Sequence, residues 1–302
     1  MSHIYIFSPS SAVRDKAAFK RGVKRLESQG HQVEIDPNAL SSDMRFAGSD
    51  ATRLSALARA AASGADVAMI SRGGYGLTRL LPQLPYKAIQ KAIERGTQFV
   101  GLSDFTAFQL AVYAKTQSVT WQGPALGDDF GVEGQPDDIM QACFDDLLLE
   151  QGEGTGWRLP IDSANQAVKV KNATLWGGNL AVLTSLIGTP YFPHVKGGIL
   201  FLEDVGEHPY KLERMLTQLF NAGILQQQKA ILWGQFTGFK LVSHDKGFKL
   251  KTVIERLRSQ LKIPLLTGLP FGHVQTKVLL PLGAKVDLVS EGRDVFLVWG
   301  HL

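Results

Sequence analysis

The stretch "TQFVGLSDFTAFQLAVYAKTQ", residues 97–117, changes period part-way. Thr97, Phe99 and Val100 are the β-branched and aromatic residues of a short strand. From Asp104 onward, Phe105, Phe108, Ala111 and Val112 recur at the intervals of a helix face. Between the two lie Gly101 and Ser103. A serine where a strand turns into a helix has two readings. It caps the helix through its hydroxyl, or the corner lifts its oxygen out of the sheet as a nucleophile.

The segments around this stretch repeat its strand-to-helix alternation. "HIYIFSP" (3–9) reads as a strand and residues 11–29 as a helix. "HQVEI" (31–35) is a strand, and residues 50–63 form a helix opened by an acidic cap. "ADVAMIS" (65–71) and "SVTWQG" (118–123) are further strands. Short apolar strands separated by helices imply a parallel sheet covered on both faces, with ligands beyond the carboxyl ends of the strands. Ser103 and the run Ser71–Gly76 both stand at such ends.

The glycine-rich "EQGEGTGW" (150–157) marks a composition shift. The expected organisation is an α/β domain with a parallel sheet over 1–150, a linker over 151–170 and a smaller α+β domain over 171–302. In the last, "GGILFLED" (197–204) and "KAILWGQF" (229–236) are strands. Residues 209–222 and 248–261 are helices, and strand-like segments recur near 265, 278, 286 and 296.

The chain has 302 residues and a formal net charge of +4. Lys and Arg are not gathered into one run, so nucleic acid is not an expected partner; an anionic ligand is mildly favoured. The single cysteine, Cys143, forms no internal disulfide and reads as a small buried apolar residue. No secretory leader and no bilayer-spanning run is present, so a cytoplasmic protein without membrane contact is expected. No metal-ligand spacing occurs, and no cofactor is expected.

A serine nucleophile needs a base, and the base needs an orienting acid. His273, in the loop "TGLPFGHVQTK" (267–277), is the best placed of the seven histidines. Glu203 and Asp204 end a strongly apolar strand, where a carboxylate is costly to desolvate without a partner. Asp204 or Glu207 suits a cap for the helix that follows, which leaves Glu203 as the acid. In "SRGGYGLTR" (71–79), Gly73, Gly74 and Gly76 let the backbone approach a ligand and offer N–H groups. These amides suit part of an oxyanion hole, with the amide of Asp104 as the second donor. Arg72 suits a carboxylate.

These residues carry a resemblance. "SRGGYGLTRLL", "GLSDFTAFQ", "LWGGNLAVLTSLIGTPYFP", "GILFLEDVGEHPYKLERML" and "TGLPFGH" stand in the order of the LD-carboxypeptidases, serine peptidases of the S66 type that are also called murein tetrapeptide carboxypeptidases. The resemblance covers nearly the whole chain. It implies a two-domain α/β fold with the nucleophile, Ser103, in a Rossmann-like first domain. The acid Glu203 and the base His273 would lie in the second, with the site between them. It puts the oxyanion donors on the amides of Asp104 and Gly74, and the substrate contacts on Arg72 and Gly73. It implies removal of the terminal D-alanine from murein tetrapeptides, a homodimer and no metal. Some relatives act instead on peptide–nucleotide conjugates. A binding protein that holds a muropeptide without cutting it is the alternative from another class. Gln122 stands where many members carry histidine or serine, and Leu102 precedes the serine.

Overall fold

The computed structural model describes residues 1–161 and 167–301. They fall into two compact units. The first comprises Met1–Gly152, Gly188–Pro193 and Gln275–Gly283; the second comprises the described residues of Glu153–Ile187, His194–Val274 and Ala284–Leu302.

In the first unit the chain runs β1 (His3–Phe7), α1 (Lys16–Ser28), β2 (Gln32–Ile35), α2 (Asp50–Ala62), β3 (Val67–Ile70), α3 (Tyr86–Glu94), β4 (Gln98–Gly101), α4 (Phe105–Thr116), β5 (Thr120–Gln122) and α5 (Asp138–Leu148). In the second it runs β6 (Gly154–Arg158), β7 (Val168–Asn179), α6 (Leu180–Ser185), β8 (Ile199–Val205), α7 (Pro209–Asn221), β9 (Ala230–Thr237), α8 (Leu250–Gln260) and β10 (Leu265–Thr267). It then sends β11 (Leu280–Leu282) to the first unit and ends with β12 (Lys285–Glu291) and β13 (Asp294–Val298).

The first sheet has the order β11-β5-β4-β3-β1-β2 and is parallel except for β11. Its central strand β3, "VAMI", is buried at every position, as a parallel strand covered on both faces must be. Helix α4 is apolar almost all round, and its residues Phe105–Tyr113 are buried. Phe105 stacks on Phe108 with ring centroids 4.6 Å apart and meets Phe7 of β1 edge-on. Fully burying one such ring is worth about 2–3 kcal/mol. Gln109 reaches back from α4, and its Nε2 donates to the carbonyls of Gly101, the last residue of β4, and of Trp121 in β5.

The second sheet, β10-β9-β8-β7-β12-β13-β6, changes character half-way. β7 to β10 are parallel, and β8 is buried continuously from Ile199 to Asp204. β12, β13 and β6 are antiparallel, and β12 and β13 alternate buried and exposed positions. Antiparallel strands tolerate one wet face; parallel ones with helical crossovers do not.

Several boundaries differ from expectation. The division is not contiguous: Gly188–Pro193 and Gln275–Gly283 join the first unit. The strand expected near 278 is β11, which pairs with β5 at the sheet edge, where Pro281 is tolerated. The expected linker 151–170 contains β6, paired along its length with β13, and the start of β7. Residues 162–166 of it lie outside the described residues. The glycines of "LWGGN" finish strand β7 before α6 begins at Leu180. Helix α1 begins at Lys16, capped by Asp15. Helix α2 is capped by Ser49, whose Oγ accepts from the Thr52 amide, while Asp50 lies in its first turn. The cap of α7 is His208, in place of Asp204 or Glu207. Cys143 on α5 is half-buried, and burial pushes its thiol up. Among the described residues no helix is long and apolar enough to cross a membrane.

Candidate active site

Ser103 sits at the corner between β4 and α4 with φ +66°, the left-handed region that costs a non-glycine residue about 1–2 kcal/mol. The structure decides against the capping role. The N-cap residue of α4 is Asp104, and no side-chain oxygen caps this helix. The strain at Ser103 is held by what surrounds it, because Leu102, Asp104 and Phe105 are all buried. Strain of this kind over-determined by packing is a mark of sites that aim a side chain.

The glycine-rich loop lies against this corner. A Cβ on Gly73 would stand 2.6 Å from Ser103 Cβ and 2.8 Å from its Oγ, so only glycine fits there. Gly74 has φ +119°, and a side chain there would collide with Ser11. Three contacts pin the loop. The Tyr75 amide donates to Ser11 Oγ (3.0 Å). The Gly76 carbonyl accepts from Nη1 of Arg53 (3.0 Å), an arginine of α2 with no exposed surface. The Leu77 amide donates to Oδ2 of Asp104 (3.0 Å). Burial pushes the Asp104 carboxyl up, and the Leu77 amide opposes this. The residue after the serine therefore ties the glycine loop to the serine corner. Arg72 is half-buried at the loop's start, and its Nη1 donates to the Ala12 carbonyl (3.1 Å).

In the second unit, Glu203 and His273 meet. Oε2 of Glu203 is 2.7 Å from Nδ1 of His273. The Glu203 side chain is 1% exposed and that of His273 is 24% exposed, so one end of the pair is dry and the other reaches solvent. The register of β8 against β9 shifts between Leu202 and Asp204, with an extra residue on β9 opposite Glu203. Such bulges re-aim side chains. From that bulge Gln235 holds the histidine loop twice: its amide donates to the Phe271 carbonyl (2.8 Å) and its Nε2 to the Leu269 carbonyl (3.0 Å).

Asn179, which the sequence reading passed over, completes this network. Its Nδ2 donates to Glu203 Oε1 and to Asp204 Oδ1, each at 3.1 Å, and its Oδ1 accepts from the Val182 amide at the start of α6. The available signal was an asparagine directly before the apolar run "LAVL", a helix-cap position. Asp204 accepts from the Ala181 amide (2.9 Å). Burial, and then the charge of Glu203, push its carboxyl up to about 6.

The consequence for stability has a definite sign. A carboxyl raised from 3.8 to about 6 favours the folded state when neutral, so stability present below about pH 4 is lost as the pH rises through about 6. Two units correspond to about 3 kcal/mol. Asp204→Asn removes the titration, so its thermal midpoint should fall less between pH 4 and pH 7 than that of the parent. Equal slopes in the two proteins would contradict this origin of the shift.

Gln122 and Leu102 are both buried, and Gln122 Nε2 donates to Thr106 Oγ1 of α4 (3.0 Å). The structure thus groups Ser103, Asp104, Gly73, Gly74 and Arg72 in the first unit, and Glu203 with His273 in the second.

Two family models match the chain: the LD-carboxypeptidase N-terminal domain over residues 4–123 and the LD-carboxypeptidase C-terminal domain over residues 172–288. The chain belongs to the LD-carboxypeptidase family. It is 31% identical to a probable murein peptide carboxypeptidase of Bacillus subtilis, over 91% of this chain and 85% of that protein. It is also similar to the crystal structure of muramoyltetrapeptide carboxypeptidase from Oxalobacter formigenes. There the TM-score is 0.88 and the identity 37%, with 99% of each chain covered. A second branch of relatives is represented by the microcin C7 self-immunity protein MccF of Escherichia coli, 25% identical over 98% of this chain and 92% of that protein. The structure of MccF with glutamyl sulfamoyl guanosine has a TM-score of 0.87 at 25% identity, covering 100% of this chain and 97% of that one. Membership of the family makes the chain a hydrolase of the carboxypeptidase class, and both domains expected from its motifs are present.

Proposed function

We propose that this protein is a serine LD-carboxypeptidase that removes the terminal D-alanine from murein tetrapeptides, L-Ala-γ-D-Glu-meso-Dap-D-Ala. The observation that carries the reading is the strained serine corner, with φ +66° at Ser103, in a chain that also pairs a buried Glu203 with His273. In this reading His273 is the base. Its Nδ1 is engaged by Glu203, which leaves Nε2 to take the proton of Ser103. Ser103 Oγ attacks the carbonyl at the L-centre of diaminopimelate. The resulting oxyanion is met by the amides of Asp104 and Gly74, at the N-terminus of α4 where negative charge is favoured. His273 then gives the proton to the departing amine of D-alanine, and water, activated in the same way, releases the tripeptide from Ser103. Arg72 holds the terminal carboxylate and Gly73 leaves room for the chain beside Oγ. Catalysis of this kind requires Ser103 and His273 to reach one substrate.

The reaction suits the recycling of muropeptides in the cytoplasm, and the protein would act as a homodimer without a metal. A second reading, hydrolysis of an aminoacyl–nucleotide conjugate, is favoured by the likeness to MccF. The test is mass spectrometry of the purified protein with the free tetrapeptide and, separately, with an aminoacyl sulfamoyl nucleoside. D-Alanine release at the greater kcat/KM supports the first reading. Turnover of the conjugate alone supports the second, and recovery of both compounds intact would mean a protein that binds without cutting.

A further inference from the structure

Three arginines stand beside the glycine loop without an ion-pair partner among the described residues: Arg14, Arg45 and Arg72. They contrast with Arg53, Arg59 and Arg79 of the same unit, each of which meets a carboxylate. Arg72 and Arg45 meet at the turn of Ala12, which Arg14 follows by two residues. Arg72 Nη1 donates to the carbonyl of Ala12, and the Ala12 amide donates to the carbonyl of Arg45 (3.0 Å). Arg45 lies over the ring of Tyr75, 5.4 Å from its centroid, and Tyr75 is itself tied to Ser11. Arg14 and Arg45 are exposed, and Tyr75 is 45% exposed. Gly73, next to Arg72, abuts Ser103.

The acids nearby do not neutralise this group. Asp15 is engaged at the N-terminus of α1, where its Oδ1 accepts from the amides of Ala17 and Ala18. Asp128 faces Arg72, while Arg14 and Arg45 act on Arg72 as like charges. One terminal carboxylate accounts for one guanidinium. The two further cations act on that guanidinium as like charges, which a second anion would offset.

We infer that Arg14 and Arg45, with the Tyr75 ring as an apolar floor, form a second anion subsite that takes a carboxylate of the stem peptide other than the terminal one. This rests on the function proposed above, whose substrate carries such carboxylates on D-glutamate and on the D-centre of diaminopimelate. Free acids at these positions are then preferred over their amides.

The test is a binding cycle read by calorimetry in the Ser103→Ala protein. Its ligands are the tetrapeptide, the form amidated on D-glutamate and the form amidated on diaminopimelate. With the arginines present, one of the two amidations should weaken Kd about fivefold, the scale of an exposed ion pair. With Arg14→Gln and Arg45→Gln added, that penalty should vanish and the salt dependence of Kd should shrink. Both side chains are on the surface, so folding is not at stake. The inference is overturned if neither amidation weakens binding, or if the penalty is the same with the arginines removed. D-Alanine release by the unaltered protein decides the parent reading separately, so an additive cycle beside normal release removes the subsite alone.

Discussion

Ser103→Gly should make the protein more stable while turnover of the tetrapeptide falls by about six orders of magnitude. The two effects have one cause. At φ +66° a serine bears a left-handed backbone that glycine adopts freely. Relief of about 1–2 kcal/mol is offset by the larger backbone entropy of glycine in the unfolded chain, leaving a gain of about 0.5–1 kcal/mol. For a unit of this size that is about 2 °C in Tm. Turnover falls because the group that forms the acyl intermediate is gone, and positioning alone supplies only the residual rate. Ser103→Ala separates the terms: it should lose the same activity without the gain in Tm. Calorimetry and release of D-alanine, run on both variants, check this. A Ser103→Ala protein with turnover within tenfold of the parent would remove Ser103 from the chemistry.

The second large effect is expected for Glu203→Gln. Glu203 is buried, and its Oε2 meets Nδ1 of His273 at 2.7 Å while Oε1 accepts from Asn179. A carboxylate there accepts the Nδ1 proton and so keeps Nε2 unprotonated, able to take a proton from serine. A glutamine oxygen is matched to Asn179, which turns the glutamine NH₂ toward Nδ1. The ring then carries its proton on Nε2, the wrong atom for a base. The expected outcome is a fall in kcat of about 10³- to 10⁴-fold, as for loss of the orienting acid in other triads, with KM within about threefold. Steady-state kinetics with the tetrapeptide test it. A loss confined to KM would show that Glu203 serves binding and not the orientation of His273.

Much of this site is legible in the chain because its signals are local. Where the strand period of "TQFVG" gives way to the helix period after Asp104, a corner at Ser103 follows; its left-handed backbone is known only from the structure. Gly73 and Gly74 stand out because three glycines in four positions after an apolar strand have few other uses. Glu203 is conspicuous as a carboxylate ending a run of buried apolar residues. Asn179 was not legible: before "LAVL" it reads as a helix cap, and it is one, since its Oδ1 accepts from Val182. Only its other end, 24 residues away in sequence from Glu203, reveals the second role.

The sequence by itself determined the alternation of strands and helices, the parallel character of the first sheet, and the residue types able to carry the chemistry. These follow from hydrophobic periodicity and backbone sterics, which act over a few residues. The tertiary structure alone decided the rest. It carried Leu280–Leu282 from the second half of the chain to β5 in the first unit, because "LPL" satisfies an edge strand there. It made a paired strand of Gly154–Arg158, whose glycines read as a linker until β13 supplies their hydrogen bonds. It turned the Asp104 carboxyl from the helix end to the Leu77 amide. In each case the deciding partner is distant in the chain, and short-range propensity carries no information about it.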